Sequence, residues 1–140
     1  DVHFHRSVTL ARNRLDIDDI VNGVHIIKAY SGSDSLLIEY LIDQGANGFI
    51  IEALGRGNVP PKMIPGIERA LSLNIPVIIC SRCPSGRTLD SYGYIGGGKY
   101  LTNMGCIMSS TINPHKARLL LMLALTKSKD YSFLKDLFTI

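Results

Sequence analysis

Apolar and polar positions along this chain fall into short blocks that switch between strand-like and helix-like spacing. Val24-His25-Ile26-Ile27-Lys28 is compact, apolar and rich in β-branched residues, and it predicts a first strand. Ser31-Gly32-Ser33-Asp34 supplies turn and cap residues. A helix is predicted from about Ser35 to Gln44, with Leu37, Ile38, Leu41 and Ile42 on one face and Gly45 as its stop. Phe49-Ile50-Ile51 is too short for a helix and predicts a buried strand over 49–53. Strand, helix and strand together read most simply as a right-handed crossover between parallel strands.

The same alternation continues downstream. Met63, Ile67, Ala70 and Leu71 share one face of a predicted helix over 62–73, with Pro65 in its first turn or just before it and Asn74 ending it. Ile75-Pro76-Val77-Ile78-Ile79-Cys80 is uniformly apolar, as expected of a strand covered on both sides of its sheet. Residues 81–103 are polar, with glycines and tyrosines, and read as loop. Gly105-Cys106-Ile107-Met108 predicts a short fourth strand. Asn113-Pro114 is a capping side chain followed by Pro at the first helical position, and the helix it starts is predicted to reach about Lys127. From Ala117 to Leu125 that helix is apolar nearly all round apart from Arg118, which predicts burial on more than one side and a large interface with another domain or another copy. A last helix is predicted over 131–138.

At the start, Val2-His3-Phe4-His5-Arg6-Ser7-Val8 alternates as a half-exposed strand would, and a charged stretch follows through Asp18-Asp19. Residues 1–21 are accordingly read as an arm or linker and 22–140 as one α/β domain. The first residue, Asp1, is not an initiator Met, so the chain is expected to be part of a longer or processed product.

Composition changes this picture little. The 140 residues are 46% apolar and 19% charged, ordinary for one globular domain. The net charge of +3 comes from 15 scattered basic residues, with no run of Lys and Arg among aromatics to mark a nucleic-acid surface. No apolar stretch reaches the length of a membrane span. Three cysteines do not make a disulfide framework. Cys80 and Cys83 form a CxxC pair, but Cys106, His25 and His115 do not complete a zinc spacing, and no metal or other cofactor is expected. Free thiols and the lack of any Asn-x-Ser/Thr sequon point to a cytoplasmic chain.

Candidate chemistry centres on Gly55-Arg56-Gly57-Asn58-Val59-Pro60, directly after the second strand. Gly55 and Gly57 permit backbone angles closed to other residues and leave room for a ligand or another backbone. Ligands of parallel sheets gather where strands give way to loops at their carboxyl ends. Asn58 stands there with two donors and an acceptor on a short arm, either as a ligand contact or as the cap of a tight turn. Other motifs fail. Gly93-Tyr94-Ile95-Gly96-Gly97-Gly98-Lys99 matches most of a phosphate loop, but Tyr100 replaces the metal-binding hydroxyl and no helix pattern follows, so it reads as a mobile glycine loop. Gly55 to Pro60 begins like a dinucleotide fingerprint and breaks at Pro60. Ser81, Ser85, Thr88 and Thr111 have no base that the sequence can place beside them, so no catalytic nucleophile is assigned in this chain. Asp34, Glu52 and Asp90 read as a helix cap, a strand-end residue and a loop surface residue, and His25 as a core or edge histidine.

Four blocks in order resemble the C-terminal domain of bacterial-type L-asparaginases. They are Gly48 to Pro60, Ile75-Pro76-Val77-Ile78-Ile79-Cys80-Ser81-Arg82-Cys83-Pro84-Ser85-Gly86, Tyr92 to Lys99, and Ile112-Asn113-Pro114-His115-Lys116-Ala117-Arg118. The opening His3-Phe4-His5-Arg6 resembles the end of that family's N-terminal domain. The resemblance implies a flavodoxin-like three-layer α/β fold, with a short parallel sheet of about four strands flanked by helices. It implies hydrolysis of L-asparagine to L-aspartate and ammonia by the full-length protein, with the nucleophilic threonine in an N-terminal catalytic domain that this chain lacks. It also implies a homodimer or homotetramer in which this domain completes the neighbouring subunit's substrate site. Asn58 and Gly57 carry over from the family's GxGN loop as substrate-binding, and Tyr92 is added as a substrate-side contact. Some members supply an acid after the SRxPxG-like segment; here that loop offers only Asp90. Two rival readings stand beside this one: an asparaginase-like subunit of a transfer-RNA amidotransferase, and a non-catalytic small-molecule binding module.

Overall fold

The computed structural model describes residues 16–139. The strand-like segment at 2–8 and most of the arm lie outside the described residues. Strand β1 (Val24–Lys28), helix α1 (Leu36–Asp43), β2 (Gly48–Ala53), a 3-10 turn (Pro61–Met63), α2 (Ile64–Ser72), β3 (Val77–Ser81), α3 (Gly98–Met104), β4 (Ile107–Met108), α4 (Pro114–Ala124) and α5 (Tyr131–Phe138) follow one another. The four strands form one parallel sheet in the order β1-β2-β3-β4. This is the three-layer α/β arrangement expected from the alternating pattern.

Register explains why the central strands read as continuous apolar runs. Ile26, Ile50, Ile78 and Ile107 stand in one row across the sheet, and Ile27, Ile51, Ile79 and Met108 in the next. Successive residues point to opposite faces. The first row meets α4 and α5, where Ala117, Leu121, Met122, Leu134 and Phe138 are buried. The second meets α1, α2 and α3 through Ile38, Ile42, Met63, Ile67 and Leu101. Gly48 admits α4 closely: a Cβ there would lie 2.8 Å from Leu121 Cδ2.

Element ends follow local chemistry. Gly45 takes φ +83° after α1, and Asn74 takes φ +56° after α2, left-handed positions that glycine and asparagine tolerate. Pro65 sits in the first turn of α2, behind the 3-10 turn. Asn113 accepts a hydrogen bond from the Lys116 amide at 3.0 Å, with Pro114 as the first helical residue, as its sequence predicts.

Two expectations are corrected. Within the predicted loop 81–103, residues 98–104 form α3. Its weak helix formers are outweighed by Leu101, which is fully buried, and by Gly105 in a left-handed cap. Second, Leu37 leaves the buried face of α1: Ile38 and Ile42 meet the sheet, while Leu37 is 53% exposed. On α4, Leu119 is exposed and Leu120 and Leu123 are half-buried in the single chain, so an apolar face remains on the side away from the sheet.

Candidate functional site

The carboxyl ends of the strands carry the candidate residues. After β2 the chain makes a tight reversal in which Leu54 N–H donates to Asn58 O at 2.8 Å and Asn58 N–H donates back to Leu54 O at 3.0 Å. Gly57 N–H also reaches Leu54 O, at 3.0 Å. Gly57 has φ +111°, and a Cβ on it would press against Met108 Sδ at 3.3 Å, Ile79 Cγ2 at 3.4 Å and Thr88 Cβ at 3.5 Å. The turn therefore favours glycine there, through its backbone angle.

The loop does not stand alone. Ser81 Oγ donates to Gly55 O at 2.6 Å, Leu89 N–H donates to Arg56 O at 2.9 Å, and Val59 N–H donates to Gly96 O at 2.8 Å. Held this way, Asn58 has its backbone groups committed to Leu54, and its side-chain Oδ1 is buried with no hydrogen-bond partner among the described residues. A buried polar atom without a partner costs free energy, and such atoms collect where function supplies the missing partner.

A cleft of about 460 Å³ opens beside the loop, lined by Gly55, Arg56, Cys83, Ser85, Gly86, Arg87 and Leu89. Its charged groups are guanidiniums. Asp90 lines a different cleft, with Thr102, Tyr131 and Lys135. Tyr92 is 46% exposed, with its ring 5.8 Å from that of Tyr94. Its link to Asn58 runs through the backbone: Tyr92 O accepts from Lys99 N–H, and Gly96 O holds Val59.

The glycine run 96–98 is packed rather than mobile, which corrects the sequence reading. All three glycines are buried. Cβ atoms on them would fall 2.2 Å from Val59 O, 2.3 Å from Tyr92 O and 2.4 Å from Leu89 O. A helix does follow, contrary to expectation. Near its start, the Lys99 amide is taken by Tyr92 O at 3.0 Å, so this helix end offers no phosphate cradle.

The remaining candidates have structural partners. Thr88 is buried and its hydroxyl donates to Ser109 O at 2.8 Å. Glu52 pairs with Lys28 at 3.2 Å, and Asp34 Oδ1 accepts from the Leu36 amide at 3.1 Å. His25 is half-buried on the edge strand, its ring centroid 6.3 Å from that of Phe49. The CxxC pair is divided: Cys80 is buried and Cys83 exposed. Burial pushes the Cys80 thiol up to about 12, with the Ser109 hydrogen bond pulling the other way and Glu52 adding to the rise. Burial alone pushes Cys106 to about 12. Among the described residues, no group of three His, Cys, Asp or Glu side chains is placed to hold a metal ion. Likewise, no helix among them is long and apolar enough to cross a membrane.

The described residues thus form a parallel α/β domain with a glycine-held asparagine at its strand ends. Residues 23–138 match the family described as Glutaminase/Asparaginase C-terminal domain, and the chain belongs to that family. It is 37% identical over 116 residues to a probable L-asparaginase of Deinococcus radiodurans, covering 83% of this chain and 35% of that protein. It is 32% identical over 107 residues to an L-asparaginase of Bacillus licheniformis, covering 76% and 33%. It is also 35% identical over 119 residues to a glutamyl-tRNA(Gln) amidotransferase subunit of Methanobrevibacter smithii, covering 84% and 27%. The chain thus spans about a third or less of these relatives.

Sequence reasoning singled out Asn58 and Gly57 as candidates but passed over Ser81 and the glycine run as structural partners of that loop. The signal that could have found Ser81 was its position as the last residue of a strand neighbouring β2.

Proposed function

We propose that this chain is the C-terminal domain of an L-asparaginase, an amidohydrolase that converts L-asparagine to L-aspartate and ammonia. The domain contributes Asn58, with Gly57 shaping its loop and Tyr92 as a further substrate-side contact, to a substrate site completed by an N-terminal catalytic domain of a neighbouring subunit. A cytoplasmic homodimer or homotetramer is the working assembly, the compartment resting on the three unpaired thiols. The observation that carries the reading is the buried, partnerless Oδ1 of Asn58 at the strand end, in a chain that matches the asparaginase domain over residues 23–138.

The test is ammonia release from L-asparagine and L-glutamine by the full-length protein, with Asn58→Ala alongside. Rapid release from asparagine that falls in the variant is the expected result. The isolated 140-residue chain should release none. A folded full-length protein that hydrolyses neither amide would overturn the reading. The likeness to a glutamyl-tRNA(Gln) amidotransferase subunit favours one alternative, an ammonia-supplying subunit; transfer-RNA binding by the full-length protein would select it.

A further inference from the structure

We propose that Ser81 is a positioning residue for Asn58, acting through the carbonyl of Gly55. The proposal rests on the functional reading above for its relevance to substrate, and on geometry alone for its structural content. Ser81 ends β3, and its hydroxyl has one proton and two lone pairs to spend. The proton goes to Gly55 O at 2.6 Å, while a lone pair accepts the Cys83 amide at 3.0 Å. One hydroxyl therefore joins the tip of the Asn58 loop to the start of the 81–97 segment.

The next residue extends the tie. Arg82 N–H donates to Ala53 O at 2.9 Å, and Arg82 Nη1 donates to Ala29 O at 3.1 Å. Ser81 and Arg82 together gather the carboxyl ends of β1 and β2 and the loop tip onto β3. On the far side of the tip, Leu89 N–H holds Arg56 O, and Thr88 lies beneath Gly57. Of the two hydrogen bonds that hold the tip, at Gly55 O and Arg56 O, the Ser81 contact is the one made by a side chain, so it can be deleted without disturbing a backbone bond. With it removed, Gly55 loses its carbonyl partner and the tip is tethered on one side only. Asn58, three residues on, keeps its backbone bonds to Leu54 but is carried on a loop whose tip is held less firmly.

The experiment compares Ser81→Ala, Ser81→Thr and Ser81→Cys. In the 140-residue chain, nitrogen-15 NMR follows the Asn58 side-chain amide pair and the Gly55 and Gly57 backbone amides. Ser81→Ala and Ser81→Cys are expected to shift or broaden all of these while Ile50 and Ile78 in the sheet stay put, and Ser81→Thr is expected to restore them. In the full-length protein, Ser81→Ala should raise the KM for asparagine about fivefold, the worth of one ordinary hydrogen bond, with kcat little changed. Should Ser81→Ala fail to fold, Ser81→Cys keeps the volume with a poorer donor and carries the test. An Asn58 amide pair that does not move while Gly55 does would overturn the proposal, as would equal KM for the Ala and Thr variants. A full-length protein inactive on asparagine would sink the functional reading and leave the positioning role to the NMR result.

Discussion

Gly96→Ala offers the sharpest check on how the site loop is built. A Cβ on Gly96 would lie 2.2 Å from Val59 O, well inside any real contact, and the atom it meets is backbone. Relieving that clash requires the 94–97 turn to move away from Val59. The amide of Val59, a residue almost fully buried, would then lose its bond to Gly96 O. A stranded buried amide costs about 1–3 kcal/mol. Gly96 also has φ +89°, where an L side chain is strained by about 1–2 kcal/mol. The sum is about 2–5 kcal/mol, a large fraction of the roughly 5–15 kcal/mol typical of a domain's total stability. Gly32 serves as the control, because its φ of +91° is nearly the same but a Cβ there meets nothing within 4 Å. Gly32→Ala should therefore lose only the conformational part, about 1–2 kcal/mol. Urea unfolding followed by circular dichroism, with unchanged slope, would measure both. Equal destabilisation of the two variants would refute the claim that contact with Val59, rather than backbone angle alone, requires glycine at position 96.

Two further outcomes follow from named contacts. Asn113→Ala removes the side chain that accepts the Lys116 amide and should cost about 1 kcal/mol in thermal unfolding, whereas Asn113→Asp should be nearly neutral. A loss equal to that of Asn113→Ala in the Asp variant would speak against a capping role. The buried thiols predict alkaline weakening. With Cys80 and Cys106 pushed up to about 12 from 9.0, the folded state holds protons that the unfolded state releases. Their contribution is therefore fully present below about pH 9 and lost as pH rises toward about 12, at up to about 1.4 kcal/mol per pH unit for each thiol. Urea midpoints between about pH 8 and about 10.5 should fall less steeply in Cys106→Ala, and an unchanged slope would count against this cause.

How far the chain could be read from its residues depended on where the controlling contact lies. β2 and β3 were legible because Ile50, Ile51, Ile78 and Ile79 are packed on both faces, and such strands show their burial in composition. α4 announced its start through Asn113-Pro114 because capping is local. α3 was missed since its stability comes from Leu101 inserted under the sheet and from close backbone packing at Gly96 to Gly98, neither of which has a periodic signature. Leu37 was misplaced for a similar reason. A short helix has several near-equivalent apolar faces, and the close approach of Ile38 to Gly66 of α2 selects one of them. At the site, Gly57 and Asn58 stood out within one short stretch. Their restraint by Ser81 did not, because its partner is a backbone carbonyl 26 residues away.

The order of the sheet bears on where a ligand can sit. In open parallel sheets a ligand crevice forms where strand order reverses and consecutive loops part to opposite sides. Here the order runs β1-β2-β3-β4 without reversal, and α1, α2 and α3 all cross on the same face. The loops leaving the strands are consequently not split apart, and they form a single wall instead of the two sides of a crevice. Asn58 belongs to that wall, next to the cleft that Gly55 and Arg56 form with residues 83–89. On the proposed reading, the rest of the enclosure around a substrate at Asn58 has to be supplied from outside this domain.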